Sequence, residues 1–518
     1  MSEFIEYPIS QMDFANIRNR NMVYVDKTGI MYQLVRTNAS YFLSRPRRFG
    51  KSMLISTMKA FFQGQREYFR GLEIDTLEKE WTTYPVIHID LSRSKYVELN
   101  NLHSMLNRQL SEYEQQYDIK PLTTDSYSSR LLNIIQTAHK LTMQQVVVLV
   151  DEYDAPMLDN IDNSEQMRVV RNILRDLFSP LKAMAQHLRF VFLTGVTKFA
   201  QLSIFSELNN LTNISMDPRF EAICGITNEE LGSHLHMGIE ELATANGESL
   251  EQATAHLKRL YDGYHFSSGM TSIYNPYSIM NVLSSKQYKN YWFGSGTPTM
   301  LLELMRHYNL SVIDLERIEA NEARFDRPAE QIDDAVPVLY QSGYITIKEF
   351  DPSFKYFTLG IPNEEVREGL YETMYEYMKP ADFDNRDTFA RAIRDFYNGG
   401  SIEDFMNAVK AFYLTIPYGL DNANEKHYQA LFFAAMQSSG VNVQAEVQTA
   451  TGRIDIVMTM PNDIYIFEFK YKKDVQLAAK QIKQRDYAKM FATTNKKVHQ
   501  VALNINADNR TIDSWSIV

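Results

Sequence analysis

A single cysteine, Cys224, is all the thiol chemistry that the 518 residues carry. That excludes an intramolecular disulfide framework and a cysteine-rich zinc site, and it suits a reducing compartment, so a cytoplasmic location is expected. No apolar run approaches the ~20 residues needed to cross a bilayer, and the opening MSEFIEYPIS lacks the basic and apolar regions of a secretory signal. No membrane partner is expected. Basic residues are also in deficit: 53 Lys and Arg face 64 Asp and Glu, for a formal net charge of -11. A protein that coats nucleic acid by bulk charge is thereby excluded, because such binding rests on neutralising phosphates. Any nucleic-acid site must be local. Internal repeats and low-complexity tracts are absent as well.

What is present is apolar surface in quantity, with 44% hydrophobic and 12% aromatic residues, enough for several cores. A single core stops growing near about 250 to 300 residues, so the chain must divide into two to four domains. Up to about residue 230, short apolar runs at Tyr41 to Ser44, Val86 to Leu91, Val146 to Val150 and Arg189 to Leu193 alternate with amphipathic stretches. That is the pattern of an α/β fold with a parallel sheet and crossover helices. Residues 231–330 read as a helical extension. Residues 331–415 read as a winged-helix-like and helical linker region, with a short helix, strands at Tyr344 to Ile347 and Lys355 to Leu359 around a turn at Asp351 and Pro352, and further helices. Residues 416–518 read as a final α/β unit. It holds a helix near Glu425 to Gln437, strands at Val441 to Gln448, Arg453 to Thr459 and Ile464 to Lys470, a basic helix from Val475 to Phe491, and strands at Val498 to Ile505 and Ser514 to Val518.

RPRRFGKS, Arg45 to Ser52, follows the first strand and precedes helically spaced Met53, Leu54, Met58, Phe61 and Phe62. A phosphate-binding loop needs that order, because it aims backbone N–H groups and a helix N-terminus at the anion, with a lysine on the outer phosphates and a hydroxyl on magnesium. Gly50, Lys51 and Ser52 fill the last three positions, and Arg48 and Phe49 complete the cradle; Arg45 stands where a glycine is expected. The buried strand of VVVLVDEYD delivers Asp151 and Glu152 to its C-terminal end, where open α/β sheets place their chemistry. There Asp151 would hold magnesium, and Glu152 would orient or deprotonate the water attacking the γ-phosphate of ATP. Val86 to Asp90 is expected to supply an extra strand between phosphate loop and acidic strand, the arrangement that places a catalytic glutamate beside the water. Thr194, at the end of a further strand, is the candidate for sensing the γ-phosphate, and Arg219 is considered as a charge-stabilising arginine beside its plainer reading as a surface residue.

GRIDIV and IYIFEFK place Asp455, Glu468 and Lys470 on neighbouring strands, with Glu468 and Lys470 on one side because strand side chains alternate. Two carboxylates there suit Mg2+ or Mn2+, and a lysine beside them can position and activate an attacking water. A structural salt bridge is the alternative for such a cluster. Glu425 would complete the metal shell, with Glu446 competing for that role, and Gln481 and Tyr487 would position substrate. Lys470, Lys472, Lys473, Lys480, Lys483, Arg485 and Lys489 form a local basic stretch, readable as a nucleic-acid contact or as a solvated helix face.

Taken together, YVDKT at 24 to 28, RPRRFGKS at 45 to 52, LVDEYD at 149 to 154, TGVTKF at 194 to 199, YDGYHF at 261 to 266, GRIDIV and FEFK resemble a bacterial family. In that family an AAA-ATPase-like domain is joined to a C-terminal PD-(D/E)XK nuclease-superfamily domain. The resemblance spans nearly the whole chain. It implies a P-loop NTPase sheet followed by a restriction-endonuclease-like α/β domain, and RPRRFGKS is the usual form of the loop there. It also implies ATP binding at Lys51 and Ser52, Asp151 and Glu152 as the acidic pair, and a nuclease-like site at Asp455, Glu468 and Lys470.

Two functions are expected from these residues. One is an ATP-binding, ATP-hydrolysing protein whose metal-dependent nuclease-like domain acts on nucleic acid, DNA in preference to RNA, under nucleotide control. The other is an ATP-driven sensor or scaffold whose C-terminal domain binds nucleic acid or protein without cutting. A homo-oligomer fits either.

Overall fold

A computed structural model gives the fold. It describes residues 5–9, 11–37, 39–96, 98–120, 125–160, 163–198, 211–293, 301, 308, 313–326, 334–378, 386–414, 424–449, 452–506 and 508–518. Phe199 of the TGVTKF motif lies outside them. The chain divides into two compact units, Met1–Trp292 with Glu319–Glu364, and Phe293–Ile318 with Glu365–Val518. Among the described residues no helix is long and apolar enough to cross a membrane.

The first unit is built on strands Ser40–Ser44 (β1), Val86–Asp90 (β2), Val146–Asp151 (β3), Leu188–Gly195 (β4) and Leu211–Asn213 (β5), with helix Lys51–Phe62 (α1) following β1. All pairings are parallel, in the order β2-β3-β4-β1-β5. Every residue of β3 is buried, as expected for a parallel strand covered on both faces, where Val and Leu can run without alternation. The register places Leu43 of β1 against Thr194 of β4, and Asp90 of β2 against Asp151 of β3. The strand that lies between the two motifs in the chain, β2, is thus at the outer edge of the sheet. In space it is β4 that separates β1 from β3, so three strand ends converge around the phosphate-loop motif. α1 starts at Gly50 and buries Leu54, Ile55, Met58, Phe61 and Phe62, the stripe its spacing dictates.

Helices dominate the rest of this unit's N-terminal segment. Two of them start at capping boxes, where Thr227 and Ser249 accept from the backbone three residues on while Glu230 and Gln252 reach back. Strands Ile318–Asn321 (β6), Thr346–Asp351 (β7) and Tyr356–Gly360 (β8) form a small sheet in the order β6-β8-β7, preceded at β7 by helix Val336–Ser342 (α2). This is the helix and hairpin expected of a winged-helix-like module. The Asp351 carboxylate accepts from the Ser353 amide at 2.8 Å, which fixes the turn.

The second unit holds helix Glu425–Ser438 (α3), strands Asn442–Thr449 (β9), Gly452–Thr459 (β10) and Asp463–Tyr471 (β11), helix Val475–Arg485 (α4), and strands Lys497–Asn506 (β12) and Thr511–Ile517 (β13). The sheet runs β9-β10-β11-β12-β13, antiparallel except for the parallel pair β11 and β12. Phe467 and Phe469 pack on Phe432 of α3, with ring centroids 5.0 and 5.6 Å apart. Ile464 and Ile466 pack with Ala478, Ile482 and Tyr487 on the opposite face. Alternation along β11 therefore puts Glu468 and Lys470 on the α4 side of the sheet.

Candidate functional sites

In the first unit the loop after β1 is held open by its own first residue. The Arg45 guanidinium is buried and donates to the carbonyls of Ser44 and Ser215 at 2.9 and 2.8 Å and of Phe220 and Glu221 at 3.2 and 3.4 Å. It also lies 4.2 Å from the centroid of the Phe266 ring. Five fixed donors suit this task, since arginine can satisfy several carbonyls at once. Where the usual loop uses a glycine for its turn, this one uses a brace. Arg45→Gly is therefore expected to destabilise the protein by roughly 3 kcal/mol or more, from orphaned carbonyls and a cavity, read as a lower midpoint in denaturant unfolding. Unchanged stability would mean that the arginine is incidental.

Phe49 is fully buried, 4.8 and 5.4 Å from the Tyr264 and Phe266 rings, which leaves only its main chain for a ligand. Arg48 is exposed, has φ +67°, and stacks 4.7 Å over Tyr277. Gly50 has φ +93°, a conformation that favours glycine, and a Cβ built there would meet nothing within 4 Å. The space on the Cβ side of Gly50, at the start of α1, is thus open. Lys51 is buried, and its Nζ donates to the carbonyls of Arg45 and Pro46 at 2.9 and 3.1 Å and lies 3.1 Å from Glu152 Oε1.

Asp151, at the end of β3, accepts from Thr194 Oγ1 at 2.6 Å, and the Ser52 hydroxyl helps to hold its carboxyl ionised. Burial, and then the Glu152 charge, push its carboxyl up to about 6 against the pull of Ser52, Thr194 and Lys51. Glu152 has φ +51°, a left-handed backbone that costs a non-glycine residue energy and turns it out of the strand. Lys51, Ser52, Asp151, Glu152 and Thr194 come together as the sequence expects. Arg219 does not join them: it is exposed and paired with Asp217 two residues earlier. The sequence reading overlooked Tyr153 and Asp154, both fully buried just after the acidic pair. They were visible only as the last letters of LVDEYD.

In the second unit Asp455 of β10 accepts from the Phe469 amide at 2.7 Å. Lys470 Nζ lies 3.0 Å from Glu468 Oε1, 2.6 Å from the Phe469 carbonyl and 3.6 Å from Glu425 Oε1 on the first turn of α3. Glu468 is fully buried and its Oε2 has no hydrogen-bond partner among the described residues. Burial, reinforced by the Asp455 charge, pushes Glu468 up to about 8, and burial pushes Asp455 up to about 6. Burial pulls Lys470 the other way, but Glu468 and Glu425 outweigh it and hold the ammonium above its usual range. A buried carboxylate with an orphaned oxygen beside a second carboxylate is a donor set that a hard divalent cation fits. Among the described residues no group of three His, Cys, Asp or Glu side chains is arranged around one point.

Gln481 Nε2 donates to Tyr487 Oη at 3.3 Å, and Tyr487 Oη donates to the Arg453 carbonyl at 2.8 Å, so both sit under the same sheet face. Glu446 of β9 has φ +56°, lies between the Ala445–Ile456 and Val447–Ile454 pairs and so level with Asp455, and it pairs with Arg453. Glu425 thus meets Lys470 while Glu446 is engaged elsewhere. Lys472, Lys473, Lys480, Lys483, Arg485 and Lys489 are all exposed.

Residues 8–205 match a family model described as a predicted AAA-ATPase, and residues 423–515 match one described as the PD-(D/E)XK nuclease superfamily. A protein of Azotobacter chroococcum mcd 1, named "Uncharacterized protein in vnfD 5'region", is 31% identical over 522 aligned positions, covering 98% of this chain and 97% of its own. Among solved structures, the Aeropyrum pernix ORC2 protein in ADPNP–ADP complexes is 12% identical, covering 72% of this chain and 97% of its own, at a TM-score of 0.24. Cdc6p from Pyrobaculum aerophilum is 12% identical over 66% of this chain and 88% of its own, at 0.23. Likeness at that level carries no functional argument.

Proposed function

The chain belongs to the family in which a predicted AAA-ATPase domain is joined to a PD-(D/E)XK nuclease-superfamily domain, and from that premise we propose that it hydrolyses ATP and cuts nucleic acid under nucleotide control. One observation carries the first half: Thr194 Oγ1 bonds Asp151, Lys51 pairs with Glu152, and the Ser52 hydroxyl acts on the Asp151 carboxyl, so that five motif residues from three strand ends come together. In this proposal the γ-phosphate of ATP enters the open space beside Gly50. Lys51 exchanges the Arg45 and Pro46 carbonyls for phosphate oxygens. Ser52 and Asp151 would hold magnesium, which when bound would neutralise phosphate charge. Thr194 donates toward the γ-phosphate, and Glu152, released from Lys51, accepts the proton of the attacking water. Arg48 and the Phe49 main chain line the entrance.

In the C-terminal unit, Asp455 and Glu468 are proposed to hold Mg2+ or Mn2+, whose charge would stabilise the pentavalent phosphate. Lys470 orients the attacking water, Glu425 steadies Lys470, and Gln481 and Tyr487 shape the substrate's approach. The exposed lysines of α4 and its flanks contact phosphates, a local basic face on an acidic protein. DNA is the proposed substrate.

The test is incubation of purified protein with single- and double-stranded DNA and RNA, with and without ATP, in Mg2+ or Mn2+, beside Lys51→Ala and Lys470→Ala. Cleavage that needs Lys470 and responds to ATP through Lys51 is expected. Failure to cut any substrate under every condition would leave the C-terminal unit as a binding module.

A further inference from the structure

The two residues after the acidic pair turn back on the loop that follows β4. Asp154 is fully buried. Its Oδ1 and Oδ2 lie 3.2 and 3.1 Å from the Val196 amide, and Oδ2 accepts from the Thr197 amide at 2.6 Å and from Thr197 Oγ1 at 2.7 Å. Tyr153 adds a bond at each end of the same loop: its amide donates to the Thr194 carbonyl at 2.9 Å and its hydroxyl to the Thr197 carbonyl at 3.0 Å. Between these anchors Gly195 leaves no room for a side chain, since a Cβ there would come within 2.6 Å of Asp154 Oδ1 and 2.7 Å of the Tyr153 ring. The loop from Thr194 to Thr197 is therefore fixed to the Asp151–Asp154 turn rather than hanging from β4 alone.

The product of this fixation is one contact, Thr194 Oγ1 at 2.6 Å from Asp151 Oδ1. We infer that Asp154 is a positioning residue for ATP hydrolysis: by clamping the Val196 and Thr197 amides and the Thr197 hydroxyl it sets where Thr194 meets Asp151 and the γ-phosphate. This rests on the hydrolytic function proposed above. Backbone N–H groups bonded to a buried carboxylate are among the stronger protein hydrogen bonds, and a carboxylate with four acceptor sites can take all of these donors at once. Asparagine has the same outline but faces some of those donors with an NH2 group.

Two substitutions probe the clamp at different depths, and a third serves as control. Asp154→Asn removes part of the acceptor set; Thr197→Val is isosteric and removes one hydroxyl; Thr197→Ser keeps the hydroxyl. Steady-state hydrolysis, nucleotide affinity and thermal midpoint are measured on each full-length protein, with and without DNA. The expected result for Asp154→Asn and Thr197→Val is a kcat about 10- to 100-fold lower, the scale of a small misplacement of a reacting group. ATP affinity stays within about twofold of wild type, and Thr197→Ser recovers most of the rate. If Asp154→Asn does not fold, Thr197→Val and its serine control decide the matter. Equal losses of kcat and affinity, or an unchanged kcat in Thr197→Val, overturn the inference and leave the hydrolytic function standing. A wild-type protein that binds ATP but never hydrolyses it overturns both.

Discussion

Replacing Lys51 by alanine is expected to weaken ATP binding by about 10- to 100-fold, the effect of losing a charge-assisted hydrogen bond of about 1.5–3 kcal/mol. The range is not larger because Lys51 is already satisfied without nucleotide. Its ammonium must leave the Arg45 and Pro46 carbonyls and Glu152 before it can serve phosphate, so binding gains only the difference between two partnered states. Lys51→Arg should not rescue, because the side chain is buried among those partners and a guanidinium needs more room and a planar arrangement of acceptors. Titration with a fluorescent ATP analogue reads the change directly. Affinity equal to wild type would remove nucleotide from this loop altogether.

A second large effect is expected at Glu468, and its sign inverts the usual rule that site substitutions destabilise. The folded carboxyl titrates up to about 8, above its unfolded counterpart, because it is buried and faces Asp455. The folded state therefore keeps its proton longer, and as pH rises from the ordinary carboxylate range to about 8 only the unfolded state gains by ionising. Without metal, stability falls across that window and levels above it, by a total on the order of 5 kcal/mol. Asp455, raised to about 6, adds in the same direction over the lower half. Of the other groups facing Glu468, the Lys470 ammonium and the Tyr487 hydroxyl titrate above the window, both being raised, and Glu425 lies beyond Lys470. Glu468→Gln removes the main slope. In chelator at pH 8 the variant should unfold at higher denaturant than wild type, whereas at pH 5 the difference should vanish or reverse. Magnesium should close the gap by stabilising wild type alone. A wild-type stability that rises with pH between 5 and 8 in chelator would refute this account of the site.

Both effects concern residues whose identity was readable from sequence. Asp151 and Lys470 sit at or near the ends of strands so apolar that strand, end and polar residue are marked together, as in Val146–Asp151, Asp455 and Glu468 interrupt apolar strands, and Lys51 and Ser52 open the helix after the first strand. Parallel strands buried on both faces leave little ambiguity of that kind. What sequence did not yield is whatever depends on where a side chain turns or on contacts far along the chain. Arg45 looked like a missing glycine because its acceptors at Ser215, Phe220 and Glu221 are some 170 positions away. Asp154 and Glu152 are near neighbours in one motif, yet one points into the protein and the other toward Lys51, a choice made by the left-handed backbone at Glu152. The left-handed backbone at Glu446 is equally silent: nothing in QAEVQ announces a φ of +56° level with Asp455. The helix-and-hairpin module was readable as a pattern, but not its membership of the first compact unit.

That membership makes the order of synthesis matter. Lys198, the residue after the clamped loop, is buried with its charge disfavoured by burial, and it is paired with Asp326; its amide donates to Gln341 at 2.7 Å. Pro46 of the phosphate loop packs so closely on Gly343, whose φ is +88°, that a Cβ there would lie 2.7 Å away. None of these partners exists while the ribosome is still translating the first 292 residues, and at about 5–20 residues per second the remainder up to Glu364 arrives on the order of ten seconds later. In that interval the nascent sheet carries a buried cation without its counter-ion and a loop without its backstop. A fragment cut at Trp292 would keep that defect permanently, so the shortest stretch that can be expressed as a sound nucleotide-binding unit ends after Glu364 and has to carry the intervening chain with it.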